Sequence, residues 1–331
     1  MRMEAGLLIA AIAGVNTGFA QDYEVPRTRS GVPDLQGIWT SETLTNLERP
    51  DGVEDLVVAP EQAAAVERAN AAQFEAVSDP EGTGAFEAGS NVGAYNEFWI
   101  DPGNRLAVIN GEIRSSHIVD PPDGRVPYTA AGRQRLRELA ALAQGRDGPE
   151  QRHLGDRCIV GYGSSGGPPM LPVLYNNNYQ IVQSPGYVMI LVEMNHDARI
   201  VRMGGEHLPV QVTPWLGDSI GWWEGDTLVV ETTNVHPGQA YRPAIRHVLY
   251  VPGTATVTER FTRIADDEML YEFSVSDPEA YTRTWRGEIL FRASNEAIYE
   301  YACHEGNYAL PGILGGARTE ERAAAGEGES Q

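Results

Sequence analysis

Residues 254–293 read TATVTERFTRIADDEMLYEFSVSDPEAYTRTWRGEILFRA and contain three runs that alternate between two faces, at 254–264, 269–276 and 281–293. β-branched and aromatic residues are frequent in these runs, and ADDE at 265–268 supplies a turn between the first two. Strands joined by turns this short pair antiparallel, because a parallel connection needs a crossover of a dozen residues or more. The stretch therefore predicts consecutive antiparallel strands.

The same period of two continues on both sides of this stretch. Seven further runs occur with no helix-length pattern between them, at 179–183, 187–193, 198–203, 219–223, 227–234, 245–251 and 297–302. About ten strands must curl or close to protect their edges, so we predict a mainly β fold with an antiparallel barrel over residues 161–317. Charged and aromatic residues occur on both faces of several runs, which predicts a polar-lined cavity for one small ligand.

The chain outside the barrel divides into two regions. Residues 21–160 are predicted to form an irregular arm with two short helices and a hairpin packed on the barrel. The helices are expected at Pro60–Val77 and, after a cap at Thr129, to about residue 144; the hairpin should turn at Asn110-Gly111. The tail, residues 318–331, is rich in Ala, Glu and Gly and is predicted to be disordered.

The first twenty residues indicate export. Arg2 precedes an apolar run at residues 7–15, and small residues precede Gln21, which is typical of a secretory signal peptide cleaved near Ala20. The run is far shorter than the ~20 residues of a membrane-spanning helix. We therefore expect a periplasmic or secreted protein without membrane insertion. A buried N-terminal helix is the alternative.

The chain has two cysteines, Cys158 and Cys303. In an oxidising compartment such a pair most often forms a disulfide, which closes a long loop here and stabilises the fold by on the order of 4 kcal/mol. The alternative is a nucleophilic Cys303 beside His304. Adjacent side chains on a strand point to opposite faces, so this alternative is the weaker one.

The formal charge of −21 and the isoelectric point near 4.7 bear on the partners. Nucleic acids and anionic membrane surfaces would repel such a protein at long range, so neither is an expected partner. A small-molecule ligand or substrate is expected instead. The acidity also keeps an exported protein soluble, and the sequence leaves the oligomeric state open.

Two dense polar clusters carry the candidate catalytic residues. Residues 193–199 read EMNHDAR, and residues 299–308 read YEYACHEGNY. Histidine exchanges protons near neutral pH, a carboxylate orients it, and arginine stabilises an oxyanion. If the barrel brings the clusters together, they form an acid/base site from His196, Asp197, Arg199, His304 and Glu305. In the alternative, Asp197 and Arg199 pair within a hairpin and His196 is exposed.

Further residues are predicted to contact the substrate through aromatic surface, amide groups or positive charge. They are Tyr175, Asn177, Trp222, Trp223, Asn234, Arg260, Tyr271, Trp285 and Asn307. Arg260 is also an alternative to Arg199 as the anion-stabilising group. Runs of asparagine such as 176–178 more often serve turns, and charged residues on strands more often form surface pairs.

A metal site is a rival interpretation of the same clusters. His196, Asp197, His207, His304 and Glu305 are residue types that bind zinc or iron, but their spacing matches no recognised motif. No metal or other cofactor is therefore predicted. The glycine-rich residues 161–167 lack the strand–elbow–helix context of a serine nucleophile and are interpreted as letting the backbone cross a barrel mouth.

Four motifs resemble those of an uncharacterised family of exported bacterial β-rich proteins. They are GVPDLQGIW at 31–39, DPPDGR at 120–125, WEGDTLVVET at 223–232 and YEYACHEGNY at 299–308. The resemblance spans nearly the whole mature chain and implies a lipocalin-like or calycin-like body, without an established reaction or cofactor. Ile220-Gly221-Trp222 departs from the more basic segment expected there, so substrate preference could differ.

Together these features predict a cofactor-independent acid/base enzyme. It would catalyse a lyase, isomerase or hydrolase step on a small apolar or aromatic molecule that carries oxygen groups. Two alternatives stay open: a periplasmic protein that binds or carries such a molecule without changing it, and a metal-dependent enzyme with His, Asp and Glu ligands. Fold class alone does not choose among them, because ligand-holding barrels serve both carriers and catalysts.

Overall fold

The computed structural model describes residues 23–77, 100–101, 103–305 and 307–328. The predicted signal peptide, residues 1–20, lies outside the described residues. Three α-helices are described: α1 (Pro60–Val77), α2 (Ala130–Leu142) and α3 (Ala309–Gly328). The described strands are β1 (Gly37–Thr40), β2 (Val108–Ile109), β3 (Glu112–Ile113), β4 (Ile118–Asp120), β5 (Asn178–Ser184), β6 (Tyr187–Val192), β7 (Ala198–Met203), β8 (Asp218–Glu224), β9 (Thr227–Thr233), β10 (Tyr241–Ala244), β11 (His247–Tyr250), β12 (Thr256–Arg263), β13 (Glu268–Ser276) and β14 (Trp285–Ala293).

Nine strands close into a barrel, which confirms the predicted mainly β fold. Around the ring the order is β1, β5, β6, β7, β8, β9, β12, β13 and β14, and β14 pairs with β1 to close it. β4 pairs with β14 outside the ring. The prediction of a strictly antiparallel barrel is wrong at one pair, since β7 and β8 run parallel with Val201 opposite Ser219. The connection at residues 204–217 is long enough to return the chain for parallel pairing.

The N-terminal arm is part of the barrel, not only packed against it as predicted. β1 lies between β5 and β14, with Trp39 opposite both Tyr179 and Ala293. Trp39 is buried, and its indole N–H donates to the Leu35 carbonyl at 2.9 Å. A strand of four residues is too short to show a clear period, so the sequence pattern did not identify it.

Aromatic side chains fill the barrel interior. The rings of Tyr271 and Phe291 lie 5.0 Å apart, Tyr179 and Phe291 5.2 Å, and Phe273 packs edge-on against Trp285 at 5.6 Å. All five side chains are buried in one core cluster. The sequence predicted a polar-lined cavity here, but a ring of this size is narrow enough for side chains to occupy it.

The charged residues of the interior pair with one another. Arg199 Nη1 donates to Glu259 Oε1 at 2.9 Å, and Arg199 Nη2 also contacts Glu259 Oε2. The Tyr271 hydroxyl donates to Glu259 Oε1 at 2.7 Å and accepts from the Met170 amide at 2.8 Å. A buried charge is costly unless it is paired, and Glu259 supplies the counter-ion for Arg199.

Residues 161–173, here called the mouth segment, bring Met170 into the barrel. Met170 and Leu171 belong to the core cluster, as expected for a backbone that crosses a barrel mouth. Arg242 on β10 is fully buried and holds this segment by donating to the Pro168 carbonyl at 2.6 Å and to Ser164 Oγ at 3.0 Å.

The structure corrects two predictions near the C-terminus. Residues 297–302 are not a strand, and the tail predicted to be disordered is helical as far as Gly328 within α3. Ala, Glu and Arg are strong helix formers, which favours helix over disorder. Arg318 also attaches α3 to the body by donating to the carbonyls of Arg146 at 2.9 Å and Asp147 at 3.0 Å. Residues 329–331 lie outside the described part.

Helix α2 confirms the predicted cap and gives a first testable prediction. Thr129 Oγ1 accepts from the Gly132 amide at 2.9 Å and donates to the Glu279 carbonyl at 2.6 Å. We expect Thr129→Ala to lower the free energy of unfolding by about 1–2 kcal/mol in urea titrations, because both bonds are lost. Thr129→Ser keeps the hydroxyl and should stay close to wild type; equal stability of the Ala variant would contradict the assignment.

Candidate functional site

One segment, residues 153–162, joins the two polar clusters that the sequence singled out, and we call it the tether. The Gly161 amide donates to Asp197 Oδ2 at 2.8 Å, which connects the tether to the turn between β6 and β7. On its other side, Asn307 Nδ2 donates to the Asp156 carbonyl at 2.8 Å. The clusters at 193–199 and 299–308 therefore attach to the same short piece of chain.

The predicted disulfide between Cys158 and Cys303 is confirmed. Their Cα atoms lie 5.7 Å apart, and 145 positions separate them in the sequence. Because both cysteines of the chain are bonded, the alternative of Cys303 as a nucleophile is wrong. The bond fixes the 299–308 cluster to the tether and indicates folding in an oxidising compartment.

The predicted acid/base pair between the two clusters is not formed. His196 is exposed in the turn before β7, and His304 and Glu305 are exposed in the turn after the disulfide. Among the described residues, no hydrogen bond or ion pair joins His196 to His304 or Glu305. These side chains face water, so the structure supports no shared cavity for them.

Arg199 is likewise not an accessible anion-stabilising group. Its side chain is 1% exposed and is bonded to Glu259 inside the barrel, so it does not pair with Asp197 either. Burial alone lowers the pKa of Arg199, but the Glu259 carboxylate outweighs burial and raises it. Arg199 therefore stays charged as half of a core ion pair.

Two predicted catalytic residues, Asp197 and Arg199, belong to the lining of a cleft. Arg199 is buried and bonded to Glu259, so Asp197 is the one of the two that is partly exposed there. The cleft has a volume of about 440 Å³ and opens where β7 and β8 separate, because their pairing begins only at Val201 and Ser219. Its lining combines apolar and polar side chains: Ile159, Val160, Tyr187, Ile200, Pro214, Trp215 and Leu216 with Asp197, Arg202, Asp218 and Ser219. Such a mixture suits a small molecule with an apolar body and a few polar groups.

The Asp197 carboxyl is held in one orientation and has an altered acidity. Oδ2 accepts from the Gly161 amide at 2.8 Å, and Oδ1 accepts from Asn195 Nδ2 at 3.3 Å. Burial raises the pKa of Asp197 and outweighs the opposite effects of these two bonds and of neighbouring His196. A carboxyl that binds its proton more tightly than an exposed one suits proton transfer.

The far wall of the cleft is fixed by hydrogen bonds to Asp218. Arg202 Nη2 contacts both Asp218 oxygens at 2.9 Å, and the Leu208 amide and His207 Nδ1 each lie 2.9 Å from Oδ2. Burial raises the pKa of Asp218, but the bonds from Leu208, His207 and Arg202 outweigh it, so the pKa lies below the usual value. Residues 204–217 are thereby anchored to β8.

His207, named above among possible metal ligands, is part of this anchor. Its Nε2 also lies 3.2 Å from Glu231 Oε1 on β9. Within the ranges that the structure describes, no group of three or more His, Cys, Asp or Glu side chains is arranged to hold a metal ion. The same described residues include no helix that is long and apolar enough to span a bilayer.

The predicted substrate-binding residues near the tether have structural partners. Asn177 is buried, accepts from the Val173 amide at 2.8 Å and donates to the Asp101 carbonyl at 3.1 Å, as expected of a residue that serves a turn. Tyr175 is half-buried and its ring stacks on Tyr301 at 6.4 Å. Asn307 contacts Asp156 as described above, so it holds the chain in place before α3.

The remaining predicted contacts are scattered. Trp222 and Arg260 both bond to Glu224 on the outside of the barrel, at 3.0 and 2.9 Å, and Asn234 donates to the Leu208 carbonyl at 2.9 Å. Trp223 lines a separate open cavity of about 730 Å³. Tyr271 and Trp285 have no exposed surface, so their predicted role as ligand contacts is corrected to core packing.

The sequence interpretation missed a cluster formed by the tether and the residue before it, Arg152. The Tyr162 hydroxyl donates to Asp156 Oδ1 at 2.7 Å, Arg152 lies 3.0 Å from Asp156 Oδ2, and the His153 and Tyr162 rings stack at 5.3 Å. Burial lowers the pKa of His153 to about 4, and the Gly155 amide donates to its Nδ1, so the neutral ring carries its proton on Nε2. The dense polar run RHLGDRC at 152–158 is the sequence feature that could have indicated this cluster.

Comparison with protein-family models, with curated proteins and with solved structures finds no match for this chain. The resemblance to exported bacterial proteins therefore rests on the four motifs. Three of these motifs coincide with defined structural features. Residues 31–39 lead into and include most of β1, residues 223–232 contain the end of β8, the turn and most of β9, and residues 299–308 contain Cys303 of the disulfide.

Proposed function

We propose that the chain is an exported acid/base enzyme in which Asp197 transfers a proton to or from a small, largely apolar or aromatic molecule that carries oxygen groups. The observation that carries this proposal is the half-buried Asp197 carboxyl, whose pKa burial raises, on the wall of the 440 Å³ cleft. Proton transfer of this kind supports a lyase, isomerase or hydrolase step and requires no redox cofactor.

The cleft walls suggest how the substrate is held. Tyr187, Trp215 and Leu216 offer apolar surface for its body. Arg202, on the same lining, carries a positive charge that is already oriented by Asp218 and can attract a substrate oxygen. His196 is exposed and lies next to Asp197 in the chain.

The proposal that the protein is exported is supported by features outside the cleft. The disulfide favours an oxidising compartment, and residues 1–20 have the composition of a signal peptide. Membership of the exported bacterial family is proposed on the motifs. The tether cluster of His153, Asp156 and Tyr162 supports the site indirectly, because it holds the segment that supplies the Gly161 amide to Asp197.

The first experiment asks whether Asp197 transfers protons. Purified protein is incubated in D₂O with a panel of aromatic ketones, esters and lactones, and deuterium incorporation or turnover is followed by NMR. We expect Asp197→Asn to lower the rate on any accepted compound by about 100-fold or more, since the general acid/base group is lost. If Asp197 is the base, the rate should rise with pH through a value above the ~3.9 that is usual for aspartate.

Glu305→Gln is the matched control, because Glu305 is an exposed carboxylate outside the cleft. It should keep the wild-type rate. An Asp197→Asn variant that turns over as fast as wild type would overturn the assignment. Saturable binding of panel compounds without exchange or turnover would favour the alternative of a binding or carrier protein that uses the same cleft.

A further inference from the structure

A further cavity lies between the arm and the turn of the β10–β11 hairpin. It has a volume of about 320 Å³, and residues 46–51 and 245–248 form most of its lining, with Arg125. It shares no lining residue with the cleft of Asp197. Charged and polar side chains dominate: Asn46, Glu48, Arg49, Asp51, Arg125, Arg246 and His247.

Arg49 is buried on this cavity with hydrogen-bonding capacity to spare. It is 3% exposed, and its Nη1 donates to the carbonyls of Glu54 at 2.8 Å and Pro122 at 2.6 Å. Its Nε and Nη2 are buried and have no partner, and none of its bonds within the described chain reaches a carboxylate. Burying a guanidinium without a counter-ion costs free energy of folding. An anion that binds next to Arg49 would act as the counter-ion and would therefore bind favourably.

Arg246 adds a second positive charge without a counter-ion among the described residues. It is half-buried, and its Nη1 donates to the Thr43 carbonyl at 2.7 Å. Burial lowers the pKa of Arg246, as expected of a cation that lacks a carboxylate partner.

The other titratable groups of the cavity do not neutralise these two arginines. The carboxylates of Asp51 and Glu48 lie at 2.5 and 3.8 Å from Arg125 and are engaged by it. His247 is buried, and burial lowers its pKa to about 3, so it is neutral and adds no charge. The cavity is thus a locally basic site in a chain whose formal charge is −21.

We propose that this cavity binds a small oxyanion, a carboxylate or a phosphate, between Arg49 and Arg246. Guanidinium groups bind both anions through paired N–H donors, and Arg49 has two such donors unused. The volume lies at the lower end of the range for small-molecule sites, which fits a compact anion. This site is independent of the acid/base function proposed for the cleft.

The test is isothermal titration calorimetry of the mature protein with inorganic phosphate and, separately, with succinate. Ionic strength is held constant with sodium chloride, so that general screening does not contribute. We expect one saturable site for at least one of the two probes, and the stronger of them identifies the anion class. Arg246→Gln should weaken binding about tenfold or more, because one charge-assisted contact is lost.

Two variants make the outcome decisive. Arg260→Gln removes an arginine from the outer barrel surface, outside the cavity, and should bind like wild type. Arg246→Lys keeps the charge but loses the planar fork, so it should bind less tightly than wild type and more tightly than Arg246→Gln; it serves as the main variant if the Gln form does not fold. Absence of saturable binding at millimolar concentrations, or equal affinity in all variants, would overturn the proposal.

Discussion

Replacing Glu259 by Gln is expected to lower the free energy of unfolding by about 3–5 kcal/mol. The side chains of Glu259 and Arg199 are 0% and 1% exposed, so the Arg199 charge would stay in the core without a counter-ion. Tyr271 would keep at most a weaker, neutral acceptor for its hydroxyl. Burial of both side chains keeps bulk solvent from compensating for the lost charge.

Guanidinium unfolding curves measure the effect, with an unchanged slope as the sign that the unfolded state is unaffected. Glu224→Gln is the control, because it removes an exposed carboxylate that pairs with Arg260 and should cost less than about 1 kcal/mol. The double variant Arg199→Met, Glu259→Met removes both charges and should recover most of the lost stability. If Glu259→Gln were as mild as the control, the ion pair would not be a core element.

Removing the disulfide is the second large change. Converting both Cys158 and Cys303 to Ser is expected to lower the free energy of unfolding by about 2–5 kcal/mol, because the bond restricts a long loop in the unfolded chain. It joins positions that are 145 residues apart. Denaturant titrations of the double Ser variant and of reduced wild type should agree with each other.

A smaller change separates the covalent bond from its surroundings. Asn307→Ala removes the contact to the Asp156 carbonyl but leaves the disulfide in place, and should cost about 1 kcal/mol. If the double Ser variant showed the same denaturation midpoint as wild type, the bond would stabilise only the local attachment of residues 299–308. Loss of turnover without loss of stability would then indicate that this attachment positions the tether.

Much of the barrel could be predicted because the strands are long enough to show their period. β12 has eight residues and β13 has nine, and buried residues alternate with less buried ones along most of each strand, except at Leu270 of β13, which is buried out of turn. β1, with four residues, is too short for this signal. The parallel pairing of β7 with β8 was also missed, because alternation along a strand carries no information about the direction of its neighbour.

The site was predicted less well because its chemistry depends on partners far away in the sequence. The alternation of β12 put Glu259 on one face, but nothing local indicated that Arg199, 60 residues earlier, would neutralise it. Asp197 could be predicted as a candidate site residue because the turn that contains it is dense in polar residues. The orientation of its carboxyl depends on Gly161, 36 residues away, which no local pattern connects to it.

The seam between β1 and β14 has a kinetic consequence. It joins residues 37–40 to the strand that ends at Ala293, so the ring closes only after all the strands between them along the chain are available. Contacts so distant in sequence form slowly, because closing a very long loop lowers the conformational entropy of the chain before the strand pairing stabilises it. Until then the edges of β5 and β14 that β1 will cover remain open to other chains. Barrel closure is therefore expected to be a late step of folding, and the chain with an open barrel is the form most exposed to aggregation.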